Sequence, residues 1–247
     1  MESNVMAGGG AAEPKSVDAG RGLAWWTEGW ALFTKNAGMW IVMGLIFMVI
    51  LIVLAFIPII GAFASCLLMP VFTASWMMAA QKLEGGGTLE AGDLFAAFKG
   101  ERVTPLVIVG ALFVAVVVVI TIVVFVLGAG GMMGMLMGGA RRSAGGLMAG
   151  IGMGLFAVLI ALVLGMLASM AVWFAPGLVA LRGVAPVDAM RLSFSASLKN
   201  VVPFILWAVI YFVAAIVASI PLGLGWIVLG PLLLLTLYTS YKDIFGA

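Results

Sequence analysis

Four long segments without any Asp, Glu, Lys or Arg constrain the fold of this chain more than any other feature. The charge-free segments are Asn36–Gln81, Val103–Ala140, Ser143–Leu181 and Asn200–Tyr241. A helix that crosses a membrane needs roughly 20 apolar residues, so the first and last segments hold two spans each and the middle two hold one each. The expected fold class is therefore an all-α polytopic membrane bundle with six transmembrane helices.

Proline and glycine mark the turns within the two longest segments. Pro58–Gly61 divides the first of them and Pro221–Gly223 divides the last. The predicted spans are Met39–Ile57, Ala62–Gln81, Pro105–Leu127, Gly154–Leu181, Val201–Ile220 and Leu222–Tyr241. The composition supports this assignment, because 65% of the residues are hydrophobic and 9% are charged, whereas soluble domains have about 25% charged residues.

The cations fall almost entirely on one side of the predicted bundle. Of all Lys and Arg residues, only Arg141 and Arg142 lie in a connection on the opposite side. The positive-inside rule therefore predicts that both termini are cytoplasmic. Residues 1–21 are polar, rich in Gly and Ala, and lack the apolar core of a signal peptide. We expect them to form a disordered cytoplasmic tail before a single membrane domain of residues 22–247.

The segments that precede the spans resemble one another. Residues 30–40 (WALFTKNAGMW) and residues 194–204 (FSASLKNVVPF) align without a gap, and an aromatic residue, Lys-Asn and a second aromatic residue recur at the same offsets. A weaker copy occurs at Phe95–Lys99. We predict a unit of one interfacial amphipathic helix and two spans, repeated three times over residues 22–82, 88–182 and 186–245.

Aromatic side chains are expected to anchor these short helices at the membrane interface, buried against the bundle or lipid. The expected anchors are Trp25, Trp26, Trp30, Phe33, Phe95, Phe98 and Phe194. Helical spacing gives each helix an apolar face. The predicted faces are Trp26, Trp30 and Phe33 in the first copy, Ala91, Leu94, Phe95 and Phe98 in the second, and Val187, Met190, Phe194 and Leu198 in the third.

The second span of each unit contains a proline. These prolines are Pro70, Pro176 and Pro231. A proline within a helix kinks it and frees a backbone carbonyl. Two interpretations stay open: the prolines shape the helices, or the kinked helices line a transport path.

The middle unit is longer than the others because of a Gly- and Met-rich insertion, residues 128–154. One interpretation is a Cu(I) site formed by thioethers, which are soft ligands. Its candidate ligands are Met132, Met133, Met135 and Met137, in a chain with no His and one Cys. A second interpretation is helix packing through glycines at every fourth position, which are Gly130, Gly134 and Gly138 and then Gly146, Gly150 and Gly154. A flexible loop is the third interpretation, because glycine is a poor helix former in water.

The predicted spans contain no Asp, Glu, Lys, Arg or His, and the chain has no nucleotide-binding, metalloprotease or Ser/His/Asp motif. We therefore expect a protein that is not an enzyme and has no cofactor, and the net charge of +2 gives no signal for nucleic-acid binding. The expected role is a scaffold, assembly aid or envelope-homeostasis factor that works through its short helices and a tail at Tyr238–Phe245. The alternative is a transporter or channel for a neutral or lipid-like solute. Membrane lipids are the expected partners, together with a protein partner or a second copy.

Four groups of residues carry a family resemblance. They are Gly92–Phe95 with Phe98, Phe174–Pro176 with Leu178, Ala189–Met190 with Ser193, Phe194, Asn200, Pro203 and Phe204, and the C-terminal Ser240–Phe245. On these residues the chain resembles a family of six-span proteobacterial inner-membrane proteins that have no assigned activity, over approximately residues 22–245. The resemblance implies a location in the bacterial inner membrane and supplies no catalytic residues.

Overall fold

The computed structural model describes residues 13–140 and 143–246, and this part of the chain is helical without a β-strand. The α-helices are α1 (Arg21–Lys35), α2 (Ala37–Ala55), α3 (Ile60–Glu84), α4 (Val103–Ala140), α5 (Ala144–Trp173), α6 (Ala175–Arg182), α7 (Pro186–Lys199), α8 (Val201–Ser219) and α9 (Trp226–Phe245). A 3-10 helix at Ala91–Phe98 and a 3-10 turn at Gly100–Arg102 connect α3 to α4. The predicted all-α class is confirmed.

Six helical segments are long and apolar enough to cross a membrane, so the chain is a multi-pass membrane protein. They include α2, α3, α4, α8 and α9, and α5 continues as α6 after a break at Phe174. The predicted spans are confirmed in number and approximate position. The largest difference concerns the middle pair, because α4 continues to Ala140 and α5 already begins at Ala144.

A short helix precedes two long helices three times along the chain. The short helices are α1, the 3-10 helix and α7. The 3-10 helix is the exception in geometry: Glu90 caps it, and the Asp93 side chain accepts a hydrogen bond of 2.8 Å from the Glu90 backbone N–H. Descent of the three segments from one repeated unit stays a prediction.

The contacts divide the chain into two compact units, whereas the sequence predicts one domain over residues 22–247. The first unit contains the residues up to Gly110 and those from Ala171 onward. Its central helices are α9 and α3. In the apolar stretch of each, 61% and 44% of the residues are buried, against 11% in α2 and in α8. Its core includes Trp25, Trp40, Trp76 and Tyr241.

The second unit, Ala111–Met170, is a hairpin of the remaining parts of α4 and α5. Its two helices meet through glycines: a Cβ atom on Gly138 would lie 2.4 Å from the Leu147 nitrogen, and one on Gly150 would lie 2.5 Å from the Met135 nitrogen. Larger side chains would hold the helices apart at these positions. The insertion is therefore a packed helical hairpin, and the flexible-loop interpretation is wrong for the described residues. Arg141 and Arg142 lie outside the described residues.

The three predicted kink prolines have different positions in their helices. Pro70 and Pro231 lie inside α3 and α9, and both are buried. Pro176 lies in the first turn of α6, directly after the helix break at Phe174. A proline is well tolerated in the first turn, because its missing N–H has no partner to lose there. The Pro231 ring also contacts the α2 backbone, since a Cβ atom on Gly44 would lie 2.9 Å from it.

Candidate functional site at the charged end

The segment Tyr238–Phe245 is the last part of α9 and lies in the core of the first unit. Tyr241 and Phe245 are 0% and 1% exposed. Their rings pack around Phe174, with centroid distances of 6.4 and 5.5 Å. The prediction that this segment forms an exposed working tail is wrong. Its aromatic residues lie about one helical turn apart, so they form one stripe along α9, and the protein covers this stripe.

Charged residues around this segment form what we call the charged end: Arg21, Glu28, Lys82, Glu84, Asp93, Arg182, Lys242 and Asp243. At Asp243 one carboxylate oxygen accepts two hydrogen bonds, from Arg21 Nε at 2.6 Å and from Trp25 Nε1 at 2.8 Å. Arg21 also pairs with Glu28 at 2.9 Å. The hydrogen bond with Asp243 raises the pKa of the Arg21 guanidinium above its ordinary value, which stabilises its charged form. This cluster ties α1 to α9.

Glu84, at the end of α3, makes the second connection to α9. Its carboxylate accepts a hydrogen bond of 2.8 Å from the Tyr238 hydroxyl and forms an ion pair with Lys242. Lys82, two residues earlier, pairs with Asp93 at 3.0 Å. The end of α3 is thus held both to α9 and to the 3-10 helix.

Arg182 makes the third connection, from the end of α6. Its guanidinium donates a hydrogen bond of 2.7 Å to the Phe245 carbonyl oxygen. It also lies 5.8 Å from the Tyr241 ring centroid and 5.9 Å from that of Phe245, which is within cation–π distance. A cation at the C-terminal end of a helix is favourable, because unpaired carbonyls give that end a partial negative charge.

Part of the predicted N-terminal tail is bound to the first unit. The Lys15 N–H donates a hydrogen bond of 2.9 Å to the Ile244 carbonyl oxygen, and the Val17 N–H donates one of 2.8 Å to the Asn200 side chain. Asn200 is completely buried, and its amide group also donates to the Lys15 carbonyl oxygen at 2.9 Å. The expectation of a disordered tail up to residue 21 is therefore wrong for residues 15–17. Residues 1–12 lie outside the described residues.

The predicted aromatic anchors differ in their burial. Trp25, Trp26 and Phe33 are buried, and Phe98 and Phe194 are half-buried. Trp30 and Phe95 are 50% and 37% exposed. Protein therefore covers the first three rings, whereas it leaves about half of Trp30 and more than a third of Phe95 uncovered. The predicted face of α1 is rotated, because Gly22, Trp25, Gly29 and Leu32 are buried as well.

The 3-10 helix buries the expected Leu94, but Ala97 is buried with it in place of Phe95. Leu94 and Ala97 are its buried residues. They lie three residues apart, which is one full turn of a 3-10 helix. Phe95 and Phe98 contact the Phe72 ring instead, at centroid distances of 6.2 and 4.9 Å.

The predicted apolar face of α7 is wrong at its two ends, although Met190 and Phe194 are half-buried. Val187 and Leu198 are 47% and 50% exposed. The side of α7 that packs on the protein consists of small residues, which are Ala189, Ser193, Ala196 and Ser197. Small side chains let the α7 backbone approach its neighbours, and Ser193 then accepts a hydrogen bond of 2.9 Å from the Phe174 N–H.

The methionines proposed as Cu(I) ligands do not converge on one point. Each is between 41% and 64% exposed. Their positions on α4 spread around the helix, since successive residues are separated by about 100°. Met132 and Met133 therefore point in different directions, and a single metal ion could not contact the sulfur atoms of all four methionines. In the described part of the chain, His, Cys, Asp and Glu form no metal-binding group either.

Sequence reasoning missed Glu84 and Arg182, and it included Asp243 only as a member of the C-terminal segment, without its role in organising the charged end. The sequence contains one signal for this cluster: the second span of each unit is followed directly by a cation, which is Lys82, Arg182 or Lys242. The acidic residues Glu84 and Asp243 follow two of these cations closely. Chemically, the two acids have their carboxylates paired with cations, so they hold elements together rather than offering a free base or nucleophile.

Comparison with protein-family models, curated proteins and solved structures gives no match for this chain. The resemblance to six-span proteobacterial proteins therefore stays a prediction.

Proposed function

We propose that the protein is a non-enzymatic scaffold of the bacterial inner membrane, with its charged end and both termini in the cytoplasm. The observation that supports a scaffold most directly is the convergence of polar connections on the end of α9. Arg21 of α1, Glu84 of α3 and Arg182 of α6 all bind residues of Tyr238–Phe245. A platform that is fixed at several points suits the presentation of a constant surface.

The hydroxyl groups of the spans also favour a scaffold over the alternative of a transporter. Five of them, outside α9, donate a hydrogen bond to a carbonyl oxygen four residues earlier in their own helix. The pairs are Ser65 with Gly61, Ser75 with Val71, Thr121 with Val117, Ser169 with Gly165 and Ser219 with Ala215. A polar path for a solute needs groups directed into a shared channel, whereas these five hydroxyl groups donate their hydrogen bonds to their own helices.

A shallow groove of about 500 Å³ is a candidate solute site. Its lining residues are Phe212, Ala215, Ile216 and Ser219 of α8, together with Ile220 directly after this helix. A groove along one helix gives a solute no passage between helices. It therefore adds no support for the transporter alternative.

The test combines crosslinking in cells with native mass spectrometry. A photoreactive benzoylphenylalanine is placed at Thr34, an exposed residue of α1, and at Val119, an exposed apolar residue of α4, as the control. The scaffold proposal expects a discrete protein adduct at Thr34 that weakens when Asp243→Asn loosens α1. A stoichiometric solute or lipid on the protein released from nanodiscs, without a protein adduct at Thr34, would overturn the proposal in favour of transport.

A further inference from the structure

The apolar length of α4 exceeds what a bilayer accommodates. The helix has 38 residues, and its sequence contains no charge after Arg102 until Arg141. At a rise of 1.5 Å per residue it is about 57 Å long. The hydrocarbon core of a bilayer is about 30 Å thick.

Tilting the helix does not remove this excess. A 57 Å helix fits within 30 Å only at a tilt of about 58°, whereas transmembrane helices tilt by about 0–40°. At 40° the core accommodates about 39 Å, or about 26 residues. Counted from Val103, the excess begins near Gly128, where the Gly- and Met-rich insertion starts.

The excess part of the hairpin is apolar on every outward side. We call residues 128–138 and 145–154 the hairpin tip. Its buried positions are glycines of the helix–helix contact, Gly131, Gly138 and Gly150. Its large side chains point outward, and Met132, Leu136 and Met148 are 64%, 63% and 72% exposed. A single docked protein would cover one side of such a hairpin, and water would face the others at a cost that rises with apolar area.

We propose that the hairpin tip is embedded in lipid over its whole surface, so that the bilayer deforms around the α4–α5 hairpin to cover it. Lipid acyl chains can surround a helix pair on all sides, as the all-round exposure of the large apolar side chains requires. Methionine suits such a partner, because its unbranched side chain adapts to irregular apolar contacts. Local thickening is an established response of a bilayer to a hydrophobic segment that is too long. The inference is independent of the scaffold function.

The test measures the environment of single nitroxide labels by electron paramagnetic resonance. In a Cys66→Ser background, cysteines are introduced one at a time at Met133 and Met148 of the tip, at Val119 as the lipid reference and at Lys99 as the water reference. These four side chains are exposed, so the labels displace no core packing. The samples are vesicles of phosphatidylethanolamine and phosphatidylglycerol.

We expect the tip labels to behave like the label at Val119, with high accessibility to oxygen and low accessibility to a water-soluble nickel chelate. Nickel accessibility like that at Lys99 would show a tip in water and overturn the proposal. Low accessibility to both reagents would show a protein contact, such as a second copy, and would overturn it equally. A series of bilayers with longer acyl chains gives a second measurement. Nickel accessibility at Met133 must stay low or fall as the bilayer thickens, and a rise would contradict lipid embedding.

Discussion

Asp243 is the residue at which the charged end is most sensitive to a single change. Asp243→Asn removes the charge that faces Arg21 and weakens the bond from Trp25, while the side chain keeps its size. We expect a loss of about 2 kcal/mol in the free energy of unfolding, because hydrogen bonds to charged groups contribute about 1.5–3 kcal/mol. Unfolding in detergent, followed by tryptophan fluorescence, measures this loss.

The matched control for that change is Asp188→Asn on α7. Asp188 is 63% exposed at its side chain and lies 3.6 Å from Arg191. Exposed ion pairs contribute about 0–1 kcal/mol, so this variant is expected to unfold close to the wild type. Equal losses for the two variants would show that Asp243 makes no special contribution.

Two tyrosines one turn apart in α9 provide a second comparison at this scale. The Tyr238 hydroxyl donates to Glu84, whereas the Tyr241 hydroxyl is buried and has no hydrogen-bond partner among the described residues. Tyr238→Phe is expected to lower stability by about 1 kcal/mol or more, since it leaves a charged acceptor with one donor fewer. Tyr241→Phe is expected to be neutral or stabilising, because it removes an unsatisfied polar group from the core. The melting temperatures of both variants test this comparison. A larger decrease in melting temperature for Tyr241→Phe than for Tyr238→Phe would contradict the prediction.

At the scale of elements, the position of α1 depends on one glycine. A Cβ atom on Gly22 would lie 2.2 Å from the Pro203 carbonyl oxygen of α8. Gly22→Ala must therefore displace α1 from α8, although alanine is the better helix former. We expect a lower melting temperature and faster tryptic cleavage after Lys35.

Gly38→Ala in α2 is the control for this clash. Gly38 is also helical, and nothing lies within 4 Å of the position of its Cβ atom. The substitution is expected to raise stability by up to about 1 kcal/mol through helix propensity. If Gly22→Ala were as stable as Gly38→Ala, the close approach of α1 to α8 would not be a feature of the protein in solution.

The elements also show how far the sequence predicts this structure. The number of spans follows from missing charges, since each charge-free segment must be helical in a membrane. The end of α4 does not follow, because the segment beyond Leu127 is still apolar and glycine is compatible with helices in lipid. The packed face of α7 does not follow from hydrophobic spacing either. The side of α7 with small residues lies against the protein, because it lets the backbones approach closely, and Val187 and Leu198 stay exposed.

The charged end was the least predictable feature for a related reason. Arg21 and Asp243 are separated by 222 positions in the sequence. Local periodicity identifies which residues share a helix face, but it does not say which helices meet. The cations at the ends of the spans were visible in the sequence, whereas their partners depend on how α1, α3 and α6 pack around α9.

For the whole molecule, the two compact units predict opposite effects of two deletions. Removing residues 128–154 and joining the shortened helices through a tight turn takes away contacts that belong to the second unit. The first unit keeps its core and is expected to melt within a few degrees of the wild type. Removing residues 240–247 takes away the buried Tyr241 and Phe245 and the acceptor of Arg21, and is expected to prevent folding.

Fluorescence-detected size-exclusion chromatography with a melting series on both deletions checks this contrast. The tryptophans report on the first unit, because all eight lie outside Ala111–Met170. A loss of the tryptophan transition in the first deletion would show that the hairpin is part of the folding core. The end of α9 belongs to the core of the first unit, whereas the insertion does not. We therefore expect the loss of eight C-terminal residues to destabilise the first unit more than the loss of the longer insertion.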